Sequence, residues 1–230
     1  PRIVEFHGPP QRVCVLTPHA DDETFGVGGT ILRHRERGDA VCVVLFSDNA
    51  TSIDDGRLDA DGIRRIRDLE FRNAMDVLGV EDRVSLHLGN RVFRERVYPK
   101  SEFRHVIEKE PDVLYLPSLF DNHHDHRILN NWLLRTLQMN PGVRPIIRGY
   151  EIWSPLPATA VVDITLQIER KCTAMSCYVT QQEAIDYQHH IVGLNAYRAM
   201  TFGGRNARYA EAFLELPADT YLELGISTVL

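Results

Sequence analysis

Three short runs set the limits on how this chain can fold: VCVL from Val13 to Leu16, AVCVVLF from Ala40 to Phe46, and DVLYLP from Asp112 to Pro117. Their β-branched and apolar residues suit strands buried in a core. VSLHL, Val84 to Leu88, is a weaker fourth. Helical patterns fall between them. One spans Gly28 to Arg37 and stops at Gly38. Another spans Ile63 to Leu78, with apolar or small residues at Ile63, Ile66, Ala74, Val77 and Leu78, and stops at Gly79. A glycine just past the last periodic residue is a frequent helix terminator, because it enters the left-handed region without a Cβ clash. Strand, helix, strand, helix, strand predicts a parallel sheet wound with crossover helices, which places ligand chemistry at the C-terminal ends of the strands.

Beyond about Gly149 the pattern changes. YEIWSPLP and TAVVDIT read as strands joined by a proline-broken turn, which suggests an antiparallel addition. Leu166 to Tyr178 carries Ile168, Cys172, Met175 and Ser176 at helical spacing, and QQEAIDYQHHIVGLNAYRAM reads as one or two further helices. With no repeat or long linker, the expectation is a single domain over residues 1–230, its core at about 8–150 and a β/α addition at about 151–230.

The formal net charge of the 230-residue chain is −6, and its acids are spread along the sequence, so no basic stripe exists to neutralise nucleic-acid phosphates. No apolar run approaches the roughly 20 residues of a spanning helix, and PRIVEFHGPP lacks the basic and apolar blocks of a signal peptide. A cytoplasmic protein without membrane insertion is expected, with oligomeric state left open. The four cysteines, Cys14, Cys42, Cys172 and Cys177, form no CxxC pair and read as free thiols.

Two segments carry the chemistry. In PHADDE, His19 and Asp22 stand three residues apart on a turn, from which an imidazole nitrogen and a carboxylate oxygen can aim at one divalent cation of the zinc class. DNHHDHR, Asp121 to Arg127, places three histidines in four positions after the strand DVLYLPS. Both segments leave the sheet at strand C-termini and can therefore meet. Acids ahead of a helix also serve as N-caps and dipole partners, and a histidine cluster can be a solvated loop. Capping accounts for one acid, however, and leaves the others without a role.

PHADDE followed by FGVGG, with HHDH about a hundred residues on, resembles the LmbE-like or PIG-L family of zinc-dependent N-deacetylases. The likeness extends through RDLEFRNAMDVLG, WSPLP, VVDIT and KCTAMSCYVTQ, from about Val13 to Gln181. It implies a Rossmann-like α/β fold, a mainly parallel sheet flanked by helices with a small C-terminal β/α addition. It implies further that His19, Asp22 and His126 hold Zn2+ or another divalent metal, and that Asp21 is the general base. His123, oriented by Asp125, would be protonated and would stabilise the oxyanion or protonate the leaving amine. Arg67 would bind substrate.

Asp48 closes its strand where many members have Thr-Asp-Gly, and so is expected near the site. Trp153 and Tyr178 are candidate sugar contacts, although core packing explains such aromatics as well. Glu23 reads as a supporting residue or a helix-dipole partner. Gly26, Gly28 and Gly29 lack the dinucleotide-binding frame and are expected to let the following helix pack closely. His7, His34, His87, His105, His189 and His190 read as surface or core residues, and His124 receives no role. The expected activity is removal of the acetyl group from an N-acetylated amino sugar, a small-molecule or glycan-type substrate. A non-catalytic binder of the same fold, or a zinc hydrolase of another amide or ester, are the alternatives.

Overall fold

The computed structural model describes residues 1–52, 58–183, 185–202 and 206–229. A short edge strand β1 (Arg2–Ile3) precedes β2 (Arg12–Thr17), α1 (Asp22–Arg37), β3 (Ala40–Ser47), α2 (Ala60–Leu78) and β4 (Asp82–Leu88). Two short helices, α3 (Asn90–Arg94) and α4 (Lys100–Glu108), lead to β5 (Val113–Pro117), α5 (His124–Met139), β6 (Ile146–Tyr150) and β7 (Ala160–Asp163). The chain ends with α6 (Ile168–Met175), α7 (Val179–Gln182), α8 (Tyr187–Ala199), β8 (Ala210–Pro217) and α9 (Ala218–Val229).

All strands join one sheet in the order β1-β7-β8-β6-β5-β2-β3-β4. Every neighbouring pair is parallel except the two that β8 makes with β6 and β7. Alternation along the central strands divides the core between two faces. Val13, Val15, Val41, Val43 and Leu45 meet α1 and α2 on one side, whereas Cys14, Leu16, Cys42, Val44 and Phe46 meet α5 on the other.

The α/β class and the mainly parallel sheet agree with the sequence. Two details differ. Helix α1 starts at Asp22, six residues before the expected Gly28, so the acids of PHADDE occupy its cap and first turn. YEIWSPLP and TAVVDIT do not pair with each other. Tyr150 ends β6, a loop follows, and β7 lies beside β8, which is the antiparallel member.

The glycines of α1 pack as expected. A Cβ on Gly26 would run into the Tyr150 ring, itself pinned by a hydroxyl bond to Leu16 O at 3.0 Å, and one on Gly29 would come within 2.7 Å of Ile164. In the middle of the same helix the Glu211 carboxylate accepts from Gly29 N and Thr30 N, and the fully buried Lys171 ammonium bonds Glu211, Asn195 and Phe25 O. This buried, fully bonded ion pair ties β8 and α6 to the helix that carries the acids.

At the other end of the sheet, buried Asp39 accepts from His34, Arg37 and Gln11 N. Burial raises its carboxyl, but these donors outweigh it and hold the group down at about 2. A folded value below the ordinary aspartate value gives stability that is complete above about pH 4 and is lost as pH falls towards 2. Asp39→Asn is therefore expected to lower neutral-pH stability by about 2 kcal/mol and to flatten the acid limb between pH 4 and 2. Denaturant unfolding across that range checks this, and parallel curves for the two proteins would contradict it.

Candidate active site

β2 and β5 pair in register through Val13–Val15 and Val113–Tyr115, yet the chain leaves them to opposite sides, β2 towards β3 and β5 towards β6. At such a switch point the loops after the two strands diverge and leave a crevice between them. PHADDE follows β2 and DNHHDHR follows β5, so topology alone brings the two segments together.

His19 Nδ1 lies 3.1 Å from Asp22 Oδ2, and His126 Nε2, from the first turn of α5, lies 3.2 Å from the same oxygen. The edge of a tetrahedron of ligands at zinc distances of roughly 2.0–2.1 Å is about 3.3 Å, so these spacings suit ligands of one cation. His126 is fully buried, and neither of its ring nitrogens meets hydrogen-bond geometry. Both have a carboxylate oxygen at 3.2 Å, Asp22 for Nε2 and Asp121 for Nδ1, but off the angle for a bond. A buried nitrogen without a bonded partner is costly, and a cation would satisfy it while Asp121 held the far side of the ring. Ring nitrogens of His19, His123 and His126 come within 4.8 Å of one another, the one such group of three found among the described residues.

Charge follows the same geometry. Burial would raise Asp22, but His126 and His19 outweigh it and keep the carboxylate ionised far below its usual range. Burial opposes protonation of His19 and His126, yet Asp125 and Asp22 push the first up to about 10, and Asp22 and Asp121 push the second up to about 9. The pocket thus holds positive charge on its imidazoles, a charge that a divalent cation replaces.

Asp21 sits at the N-cap of α1 but makes no side-chain capping bond. Its carboxylate instead accepts from Arg67 Nη2 at 2.9 Å. The backbone is strained, φ 134° and ψ −35°, a conformation that costs an L-residue on the order of 1–3 kcal/mol. Burial, countered by Arg67 and reinforced by Asp22 and Glu23, raises its carboxyl to about 7. A carboxylate with that value both takes and gives a proton near neutrality.

The PIG-L model, described as GlcNAc-PI de-N-acetylase, matches residues 14–137, just over half of the chain and both motifs. The chain belongs to the PIG-L family. It is also 28% identical over 121 residues to diacetylchitobiose deacetylase of Thermococcus kodakarensis. That match takes in 51% of this chain and 45% of the relative, so the chain spans less than half the length of the curated relative it matches. Among solved structures, N,N'-diacetylchitobiose deacetylase of Pyrococcus horikoshii, in complex with an inhibitor, superposes with a TM-score of 0.76 at 22% identity, covering 91% of this chain and 85% of the other. The 4-carboxy-2-hydroxymuconate hydratase GalB of Pseudomonas putida superposes with 0.68 at 21% identity, over 89% and 95%. At such identities the likeness establishes the fold alone, and a hydratase among these neighbours shows that the fold carries more than one chemistry.

Within this family member the remaining sequence candidates divide. Asp125 was expected to orient His123, but its Oδ2 lies 3.0 Å from His19 Nε2, and its backbone N–H instead donates to His123 Nδ1 at 3.3 Å. Burial and the charges on His19 and His126 lower His123 to about 4, so at neutral pH it is uncharged rather than the expected imidazolium. Arg67 borders the cleft, but its terminal nitrogens are taken by Asp21, Ala20 O, Glu70 and Thr180. Asp48 pairs with Arg64 at 2.8 Å and stays outside the cleft wall. Tyr178 is fully buried beneath the site and bonds Glu23, which removes it as a sugar contact. Trp153 does line the cleft, half-exposed, with its ring stacked 6.3 Å from His123.

The cleft encloses about 360 Å³. Trp153, Tyr187 and Phe25 form an aromatic wall, with Tyr187 stacked on Phe25 at 5.0 Å, and Asn49, Asn90 and Gln181 stand among its polar lining. A larger groove of about 930 Å³ lies along α6, α7 and α8, but it holds none of the histidine cluster. Asp121, Asn90, Gln181 and Tyr187 had no role in the sequence reading. The available signal for the first two was position, just past the ends of β5 and β4. Asn49, which stands where the Thr-Asp-Gly pattern has its glycine, takes φ 52°, which asparagine tolerates, and its Oδ1 accepts from Ala20 N at 3.1 Å, so it holds the PHADDE turn.

Proposed function

We propose that the chain is a metal-dependent N-deacetylase that hydrolyses the acetamide of an N-acetylated amino sugar. The observation that carries this reading is the convergence of His19 Nδ1 and His126 Nε2 on one oxygen of Asp22, with Asp21 beside them in the same cleft. His19, Asp22 and His126 would hold the cation, and their two nitrogens and one oxygen suit zinc among the divalent metals. When bound there, such a cation would supply Lewis acidity to water and to the substrate carbonyl.

The chain's own groups do the rest. Asp21 takes a proton from the attacking water, and its carboxyl near 7 then returns that proton to the departing amine. The C–N bond breaks, leaving acetate and a free amine. His123, whose Nδ1 accepts from Asp125 N–H, carries its ring proton on Nε2 when neutral and donates it as a hydrogen bond to the oxyanion. Asp125 holds His19 in place through Nε2, and Asp121 does the same for His126. The flat face of Trp153 beside amide side chains supports a sugar ring as the group carrying the acetamide.

The test is a screen of N-acetylated sugars, glycosides and sugar nucleotides, read as free amine. Release of amine and acetate in equal amounts from at least one of them is expected. Inertness of the zinc-loaded protein towards all of them, with turnover of another amide or ester, would move the assignment to that substrate.

A further inference from the structure

Asp21 is strained, and strain persists only where the surroundings over-determine a conformation. The φ torsion turns about N–Cα, so holding Asp21 requires a grip on both sides of that bond. Arg67 spans it, holding the Asp21 carboxylate on the Cα side and the carbonyl of Ala20 on the N side. Glu23 adds a second hold on the N side: its Oε2 accepts from Asp21 N–H at 3.2 Å. The Thr17 hydroxyl, 3.3 Å from the same oxygen, donates its one proton to His19 O at 2.6 Å, so Thr17 and Glu23 hold the two ends of the turn.

Glu23 has no contact with solvent, and its other oxygen accepts from Thr24 Oγ1 at 2.7 Å and from the Tyr178 hydroxyl. The Tyr178 ring also lies beneath the Arg67 guanidinium, 5.5 Å from Cζ. One fully buried tyrosine, at the turn between α6 and α7, thus touches both groups that grip Asp21. Core packing requires the ring alone. The hydroxyl donates to Glu23, and that bond serves the turn.

We propose that Tyr178 and Glu23 are positioning residues, which act through Asp21 by holding its strained backbone so that the carboxylate faces the reacting water. This rests on Asp21 being the base. Tyr178→Phe removes the hydroxyl and leaves the ring in place, and Glu23→Gln keeps the volume while halving the acceptor capacity. Each is expected to lower kcat about 10- to 100-fold, with KM within about twofold and one metal ion still bound.

A double-mutant cycle then separates positioning from general loosening. In an Asp21→Asn background, Tyr178→Phe should change the residual rate less than twofold, because its effect passes through the residue already altered. Undiminished kcat in both single variants, beside an impaired Asp21→Asn, overturns the positioning role and leaves the base assignment standing. An equal further loss in the Asp21→Asn background also overturns it. A wild-type rate in Asp21→Asn alone overturns the base assignment and the proposal with it.

Discussion

Asp21→Asn is expected to lower kcat by about 10²- to 10⁴-fold, the range that a positioned general base contributes, while the metal content stays at one ion per chain. The two halves of that result follow from separate observations. Asp21 is not among the three atoms that converge at ligand spacing, and its Oδ2 accepts from Arg67, so its amide replacement should leave the proposed ligands of the cation intact. Its carboxylate accepts from Arg67, and its value near 7 suits proton transfer in both directions. KM should change little. The acetamide pays no attention to a base until the proton moves, so ground-state binding is largely unaffected. Steady-state kinetics with metal analysis on the same samples checks both halves, and a variant that keeps its turnover removes Asp21 from the mechanism.

Asp22→Ala should instead lose the metal, lowering affinity by more than about 100-fold and taking activity with it. Asp22 is shared by both imidazoles, and its removal leaves His19 facing only Asp125 and the buried His126 facing only Asp121 among these carboxylates. Asp121→Asn is the graded companion. Asp121 reaches the far nitrogen of His126 and also accepts from His123 N at 2.8 Å and Trp153 N at 3.1 Å. A partner that orients a metal-bound histidine is worth roughly 10- to 100-fold in affinity, so this variant should bind weakly and recover activity at higher zinc. Titration with a competing chelator orders the three proteins, and equal affinities would show that the cation sits elsewhere.

The central sheet was legible because its strands are buried on both faces, so hydrophobicity is continuous and no registration of faces is needed to read it. The start of α1 was not. Gly26, Gly28 and Gly29 depress helix propensity, and the helix forms there because close packing on Tyr150 and Ile164 requires the absence of side chains. β8 escaped notice for a related reason. AEAFLELP is rich in good helix formers, and it becomes a strand because Glu211 meets Lys171 and the N–H groups of α1 while Phe213 enters the core.

The two motifs of the site were legible because their residue types are unusual after an apolar strand. Their pairing was not, since which carboxylate faces which imidazole depends on the turn. Asp125 faces His19, and Asp121 takes the place of support to His126. Gln181 and Tyr187 reach the cleft from α7 and α8, far along the chain, and single polar residues on such elements leave no local pattern.

Metal-stripped protein titrated with zinc, in the presence of the best substrate from the acetamide screen, tests the account most directly. Acetate release should be absent without metal and rise in proportion to occupancy up to one zinc per chain. Acetate release by the metal-free protein at the full rate would contradict it.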